Sequence, residues 1–170
     1  MLDAIANRRS VRFYRDQPIE ESVLEEILAA GFCAPSAHNE RAWHVIVVRQ
    51  KARLESLAAI HKWTRFLSRV PMAVIVCFDR RQLDHFWIED VSAFIQNVLT
   101  EATHQGLGSC WVGIRGVIED GVDAERVVRD TCSVPPDFGV GGIVALGYAA
   151  RHPGPHIESV PADRLHEEVF

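Results

Sequence analysis

The chain has 170 residues, nearly half of them hydrophobic and about a quarter charged, which is ordinary globular composition and enough for one domain with one sizeable core. A net charge of −5 lends no support to a nucleic-acid role, and no apolar run approaches the length of a membrane span. The first ten residues lack the apolar core of a signal peptide, so a cytoplasmic address is expected. The four cysteines, Cys33, Cys77, Cys110 and Cys132, show neither a CxxC pair nor a neighbouring His cluster. They read as reduced, mainly buried thiols, and no metal site is expected.

In chain order, residues 2–9 suit a short helix that ends in two arginines. Glu20 to Phe32 is a clearer helix, with Val23, Leu24, Ile27, Leu28 and Phe32 at helical spacing and Glu20 and Glu21 in its first turn. Pro35 stops it, and residues 35–39 read as a loop. Trp43 to Arg49 is a buried strand, Lys51 to Ile60 a short amphipathic helix, and Met72 to Phe78 a continuous apolar strand suited to the centre of a sheet. Phe86 to Gln105 is the longest helix. Its stripe of Trp87, Val91, Phe94, Ile95, Val98, Leu99 and Ala102 is broad enough for burial on more than one side. Gly106-Leu107-Gly108 ends it. Ser109 to Ile114 is a strand, Asp123 to Cys132 a helix, and Gly141 to Tyr148 a fourth strand. From Ala149 the chain is rich in Pro, His and charge, with too few apolar residues for a core of its own. Helices and strands thus alternate without a regular βαβ repeat, which predicts an α+β layer arrangement.

Three clusters carry chemistry. In Arg8-Arg9-Ser10-Val11-Arg12, guanidinium forks match a phosphate bidentately and a hydroxyl adds a donor. A turn would bring Arg8, Ser10 and Arg12 onto one dianion. Read alone, the blander reading of a solvated basic helix end comes first. The second cluster, Pro35-Ser36-Ala37-His38-Asn39 with Trp43, offers small and amide side chains that approach a flat heteroaromatic ring closely. Alone it is first a helix-to-strand connection in which Ser36 and Asn39 satisfy backbone groups. The third, Gly106 to Gly113, would set main-chain N–H groups against a cofactor, though glycines at helix ends are common. Lys62, Trp63 and Arg65 face either this site or solvent as a plain surface loop. Trp63 and Phe66 suit an aromatic lid, whereas Trp87, Trp43 and Trp111 suit packing.

Together and in this order, the clusters resemble the FMN-dependent nitroreductase family. That family carries Arg-Arg-Ser-x-Arg near the start and a Pro-Ser-x-x-Asn-x-x-x-Trp loop entering a strand. A long helix then ends in Gly-Leu-Gly-x-Cys-Trp-x-Gly, and a late strand ends in Leu-Gly-Tyr, here Leu146-Gly147-Tyr148. The resemblance implies an α+β sandwich with a mostly antiparallel sheet flanked by helices, working as an intertwined homodimer. The tail from about residue 149 would reach over the partner. FMN would be held by Arg8, Ser10 and Arg12 at its phosphate, with Arg9 near the ribityl chain or ring. Pro35, Ser36, Ala37 and Asn39 of the partner subunit would line the ring, and Val112 and Gly113 would lie beside N5 through backbone N–H. Arg164, or in its place Arg151, would complete the phosphate site. Arg9, Lys62 and Arg65 compete for the N1/O2 edge. NADH or NADPH would deliver hydride by ping-pong kinetics to the bound flavin, and a nitroaromatic, quinone or similar acceptor would then collect it. No catalytic side chain is implied; His38 is only a conceivable proton donor. Relatives of this fold also dehalogenate reductively or fragment flavin, and a flavin-binding dimer without turnover remains an alternative. The sequence departs from the pattern at Arg41-Ala42, where many relatives place a proline, and at Ala149 after Tyr148.

Overall fold

The computed structural model describes residues 1–82 and 85–170. Its elements, in chain order, are α1 (Asp3–Asn7), α2 (Glu21–Phe32), β1 (Trp43–Val48), α3 (Lys51–Ala58), β2 (Met72–Asp79), α4 (Trp87–His104), β3 (Gly108–Val112), β4 (Ile118–Glu119), β5 (Val122–Asp123), α5 (Ala124–Cys132) and β6 (Phe138–Gly147). Short 3-10 stretches cover Ala37–Asn39, Lys62–Arg69 and Ala162–Arg164.

The main sheet has the order β1-β2-β6-β3, with every neighbouring pair antiparallel. β2 is central and buried along its whole length, as its unbroken apolar run requires. Side chains alternate across a strand. Met72, Val74, Val76 and Phe78 therefore enter one core with α2 and α4, while Ala73, Ile75 and Cys77 enter a second with α3 and α5. The result is a sheet covered on both faces by helices. β4 and β5 form a separate small hairpin.

α4 lies on one face, with Phe94, Ile95, Val98 and Ala102 fully buried. Its broad stripe meets the sheet on one side and α1 and α2 on the other. α2 approaches it closely at Gly31, where a Cβ would stand 2.6 Å from the Phe94 ring and 2.8 Å from Val98. At the first turn of α4, Trp87 stacks on Phe78 with ring centroids 4.3 Å apart, so this tryptophan is a packing residue.

Three expectations shift. The first helix stops at Asn7, because Arg8 to Arg12 runs extended along the sheet edge. The fourth strand begins at Phe138. A β-bulge between Val76 and Cys77 lets Phe138–Val140 pair with Cys77–Asp79, and Gly141 at that irregularity leaves room for Val91. Residues 62–69 are 3-10 helix rather than loop. Cys33 is exposed, while Cys77, Cys110 and Cys132 are buried and all four are unpaired. Among the described residues no helix is long and apolar enough to cross a membrane, and no cluster of His, Cys, Asp or Glu has metal-ligating geometry.

Candidate functional site

Arg8 caps the C-terminus of α1 with extended backbone (φ −63°, ψ 114°). Two residues on, Ser10 forms a parallel bridge with Ser109, and the Val11 N–H donates to Ser109 O at 2.8 Å. The basic segment is thus an added edge beside β3, not a turn. In extended chain alternate residues share a face, which puts Arg8, Ser10 and Arg12 together. All three act on the buried Cys110 thiol of β3. Burial pushes that thiol up, while Arg12, a hydrogen bond from Ser10, and Arg8 pull it down. The guanidinium groups of Arg8 and Arg12 make no hydrogen bond or ion pair among the described residues. Arg9, of opposite parity, is engaged: its guanidinium donates to Gly154 O at 2.9 Å.

That bond belongs to a set tying the tail back over the N-terminal segment. Arg15 N–H donates to Tyr148 O (2.8 Å), Ala150 N–H to Phe13 O (2.9 Å) and His156 N–H to Ala6 O (2.7 Å). The His152 ring nitrogen lies 2.9 Å from Asn7 O. Arg164 stands further on, in an exposed 3-10 turn, and Arg151 is exposed as well. Residues 152–156 of the tail instead contact α1 at Ala6 and Asn7 and the basic segment at Arg9.

The β3 end of the site is open. Gly106 ends α4 with φ 78°, and its successor Leu107 donates N–H to Ala102 O at 2.8 Å. Gly113 follows β3, and nothing lies within 4 Å of where its Cβ would be. A ligand can therefore reach this backbone. Val112 and Gly113 share a pocket of ≈ 130 Å³ with Arg12, His61, Trp63 and Phe66. Within one chain, then, the basic face and the Val112–Gly113 backbone come together.

Residues 62–69 complete that pocket by their period. In a 3-10 helix residues three apart eclipse. Thr64 and Leu67 form one row and are fully buried. Lys62, Arg65 and Ser68 form the next row, and Trp63, Phe66 and Arg69 the third. The helix is started by His61, whose Nδ1 accepts from Trp63 N–H at 3.2 Å while Thr64 Oγ1 accepts from His61 N–H at 3.1 Å. With Nδ1 an acceptor, the neutral ring carries its proton on Nε2.

The Pro35–Asn39 loop lies elsewhere. Ser36 Oγ accepts from Arg41 N–H at 3.1 Å, and Asn39 Oδ1 from Arg41 Nε–H at 2.9 Å. Ala37 N–H donates to Oδ1 of Asp90, a buried carboxylate on the first turn of α4, at 2.9 Å. Oδ2 of Asp90 is buried without a partner among the described residues. These bonds hold His38, Asn39 and Arg41 at φ 53°, 58° and 52°, a region non-glycine residues rarely adopt. The loop precedes β1, at one edge of the sheet; the basic segment extends the other edge. Four strand spacings of about 4.8 Å separate them, roughly 19 Å. One chain does not bring its loop to its own basic segment.

His61, Arg69 and Asp90 escaped the sequence reading. The Thr64/Leu67/Val70 spacing is a period-three signal for the first two. Nothing local marks Asp90, whose partner is 53 residues away.

The model of the nitroreductase family matches residues 5–148. A protein of Methanothermobacter thermautotrophicus, provisionally named an NADH dehydrogenase/NAD(P)H nitroreductase, is 37% identical over 172 residues, covering 100% of this chain and 87% of the relative. An FMN-dependent nitroreductase structure from Clostridium difficile superposes with TM-score 0.93 at 30% identity and full coverage of both chains. A provisionally named nitroreductase of Desulfovibrio desulfuricans, solved with FMN, gives TM-score 0.82 at 25% identity over 98% of this chain and 95% of that one. The basic edge strand, the open backbone after β3 and the helix-covered antiparallel sheet thus have one common explanation: the chain belongs to the nitroreductase family.

Proposed function

We propose that this protein is an FMN-dependent oxidoreductase. It takes reducing equivalents from NADH or NADPH and passes them to a nitroaromatic, quinone or similar organic acceptor, the two substrates using the site in turn. The observation that carries this reading is the shared face of Arg8, Ser10 and Arg12. It presents two unpaired guanidinium groups and a hydroxyl beside backbone that Gly113 leaves open. That donor set fits a ribityl phosphate, and the names of the matching relatives agree with it. FMN, when bound, takes up and releases hydride at N5, so no side chain need act as nucleophile.

The chain's own residues then have these roles. Arg8, Ser10 and Arg12 hold the phosphate. Val112 and Gly113 offer main-chain N–H at the reactive edge. Arg9 anchors the tail through Gly154 and lies next to the ribityl side. Lys62 and Arg65 set a positive field near the ring, of the kind that favours a reduced, anionic flavin. Pro35, Ser36, Ala37 and Asn39 would face the ring of a second subunit, because the sheet separates them from the basic segment of their own chain. We therefore read the protein as a homodimer. Residues 149–156 lie along the N-terminal segment of their own chain, against the expectation that the tail leaves from about residue 149, so only the tail beyond them is free to lie on the partner, where Arg164 can reach a phosphate. Exposed Ile157, Val160, Leu165 and Val169 are apolar surface that such a seat would cover. The unpaired thiols suit a reducing cytoplasm.

Anaerobic stopped-flow tests the proposal. FMN-loaded protein should bleach on mixing with NADH or NADPH and regain its colour with a nitroaromatic or quinone. Protein that stays colourless in excess FMN, or a flavin that stays oxidised with both nicotinamides, would refute it.

A further inference from the structure

Beyond the small pocket at Val112–Gly113, a larger groove of ≈ 480 Å³ runs along the outer rows of the 3-10 helix, bounded by Arg12 and Phe13. The two spaces share Arg12, Trp63 and Phe66, so a single ligand can occupy both. Four cations line the groove, namely Arg12, Lys62, Arg65 and Arg69, and no acid does. Glu119 and Asp120 line a separate cleft with His61, Lys62 and Arg65. Arg69 and Arg12 are absent from that cleft. Arg12 is assigned to the flavin phosphate and Lys62 and Arg65 to the field near the ring, which leaves Arg69, exposed and with no side-chain hydrogen bond or ion pair among the described residues, as the groove's own cation. Two aromatic side chains flank it in the open: Phe13 is 70% exposed and Trp63 72% exposed. Aromatic rings left bare beside guanidinium groups form a stacking platform with anion donors, the combination that nucleotides call for.

We propose that this groove binds the adenosine half of the nicotinamide donor, with Arg69 receiving a 2′-phosphate, so that the enzyme prefers NADPH to NADH. A singly charged organic acceptor would need one of these cations; a multiply phosphorylated nucleotide uses several. The nicotinamide ring would then lie at the Val112–Gly113 end and the adenine on Trp63 or Phe13. Arg69 is well placed for this role because the buried row of Thr64 and Leu67 fixes the helix face from which it projects. This inference rests on the donor assignment made above.

Isothermal titration of the FMN-loaded protein with adenosine 2′,5′-bisphosphate and with adenosine 5′-monophosphate tests the site without turnover. The bisphosphate should bind at least about tenfold more tightly, the worth of one charge-assisted contact. Arg69→Ala should abolish that advantage, Arg69→Lys should keep part of it, and monophosphate binding should change less than about twofold. Arg126→Ala, a remote exposed arginine on α5, controls for the general field and should alter nothing. The ratio of kcat/KM for NADPH to that for NADH should fall in parallel in Arg69→Ala. Equal binding of the two nucleotides, an Arg69→Ala effect of the same size on both, or an equal effect from Arg126→Ala would overturn the proposal. If neither nicotinamide reduces the flavin, the donor assignment itself has failed, and the kinetic arm separates that outcome from failure of the groove alone.

Discussion

Replacing Arg8 and Arg12 together by alanine separates binding from folding. Neither guanidinium has a hydrogen bond or ion pair among the described residues, and their carbon stems leave Arg12 exposed and Arg8 half-buried. A charge-assisted hydrogen bond contributes about 1.5–3 kcal/mol. Solvent access argues for the lower end, so the pair should lose about 3 kcal/mol of FMN binding, on the order of a hundredfold or more in Kd. Folding should hardly notice, since surface substitutions of this kind fall within about 0.5 kcal/mol; that is a shift of no more than about 2 °C in Tm for a chain of this size. Flavin fluorescence, titrated with stripped protein, reads the first quantity, and thermal melting of the same apoprotein reads the second. Arg9→Ala is the internal comparison. It gives up the bond to Gly154 O, so it should loosen the tail and lower stability by about 1 kcal/mol. An FMN affinity within about threefold of wild type in the double variant would place the phosphate elsewhere. A steep fall in melting temperature would show instead that these arginines are structural.

Three further outcomes follow from packing and charge. Gly31→Ala should destabilise the fold by about 1–2 kcal/mol in urea unfolding, because a Cβ crowded against Phe94 and Val98 costs more than the roughly 1 kcal/mol gained in helix propensity. Asp79, buried and bonded to Arg81 through both carboxylate oxygens, is held down to about 2. Its unfolded value is near 4, so its stabilising contribution is complete above about pH 4 and fades as pH falls towards 2. Arg81→Ala should flatten that part of the stability profile, and an unchanged acid limb would contradict it. Cys77, pushed up to about 12 by burial, stays protonated when folded. A thiol reagent at pH 8 should label it only as the chain unfolds, as peptide mapping can show.

Much of this architecture was readable in advance, and the exceptions share a cause. β2 and α4 announce themselves because each is buried over many consecutive turns or pleats, so their apolar patterns are long. Their ends lie within a residue of expectation. The hairpin of β4 and β5 has two-residue strands, too short for any alternation to show. The 3-10 helix hides only Thr64 and Leu67, and its exposed rows look like a polar loop. The basic segment's residues were legible but not its shape, because the Ser10–Ser109 bridge joins positions 99 apart in sequence. A helix end was the local expectation, and a tertiary contact overrode it. The loop residues were legible too, and part of the blander reading also holds: Ser36 does satisfy the Arg41 N–H. Strand order then decided what neither motif could, namely that they sit at opposite edges.

That separation has a genetic consequence. In the proposed dimer each chain would contribute two half-sites, one at each edge of its sheet, so a damaged copy need not be useless. Co-express one chain whose basic edge is destroyed with another whose loop is destroyed. Each alone makes only dead assemblies, yet every mixed pair regains one intact centre and leaves one doubly broken. With random pairing, about a quarter of all centres would work again. Two defective alleles of this gene would thus rescue one another, and the size of the rescue would count the subunits that share a centre.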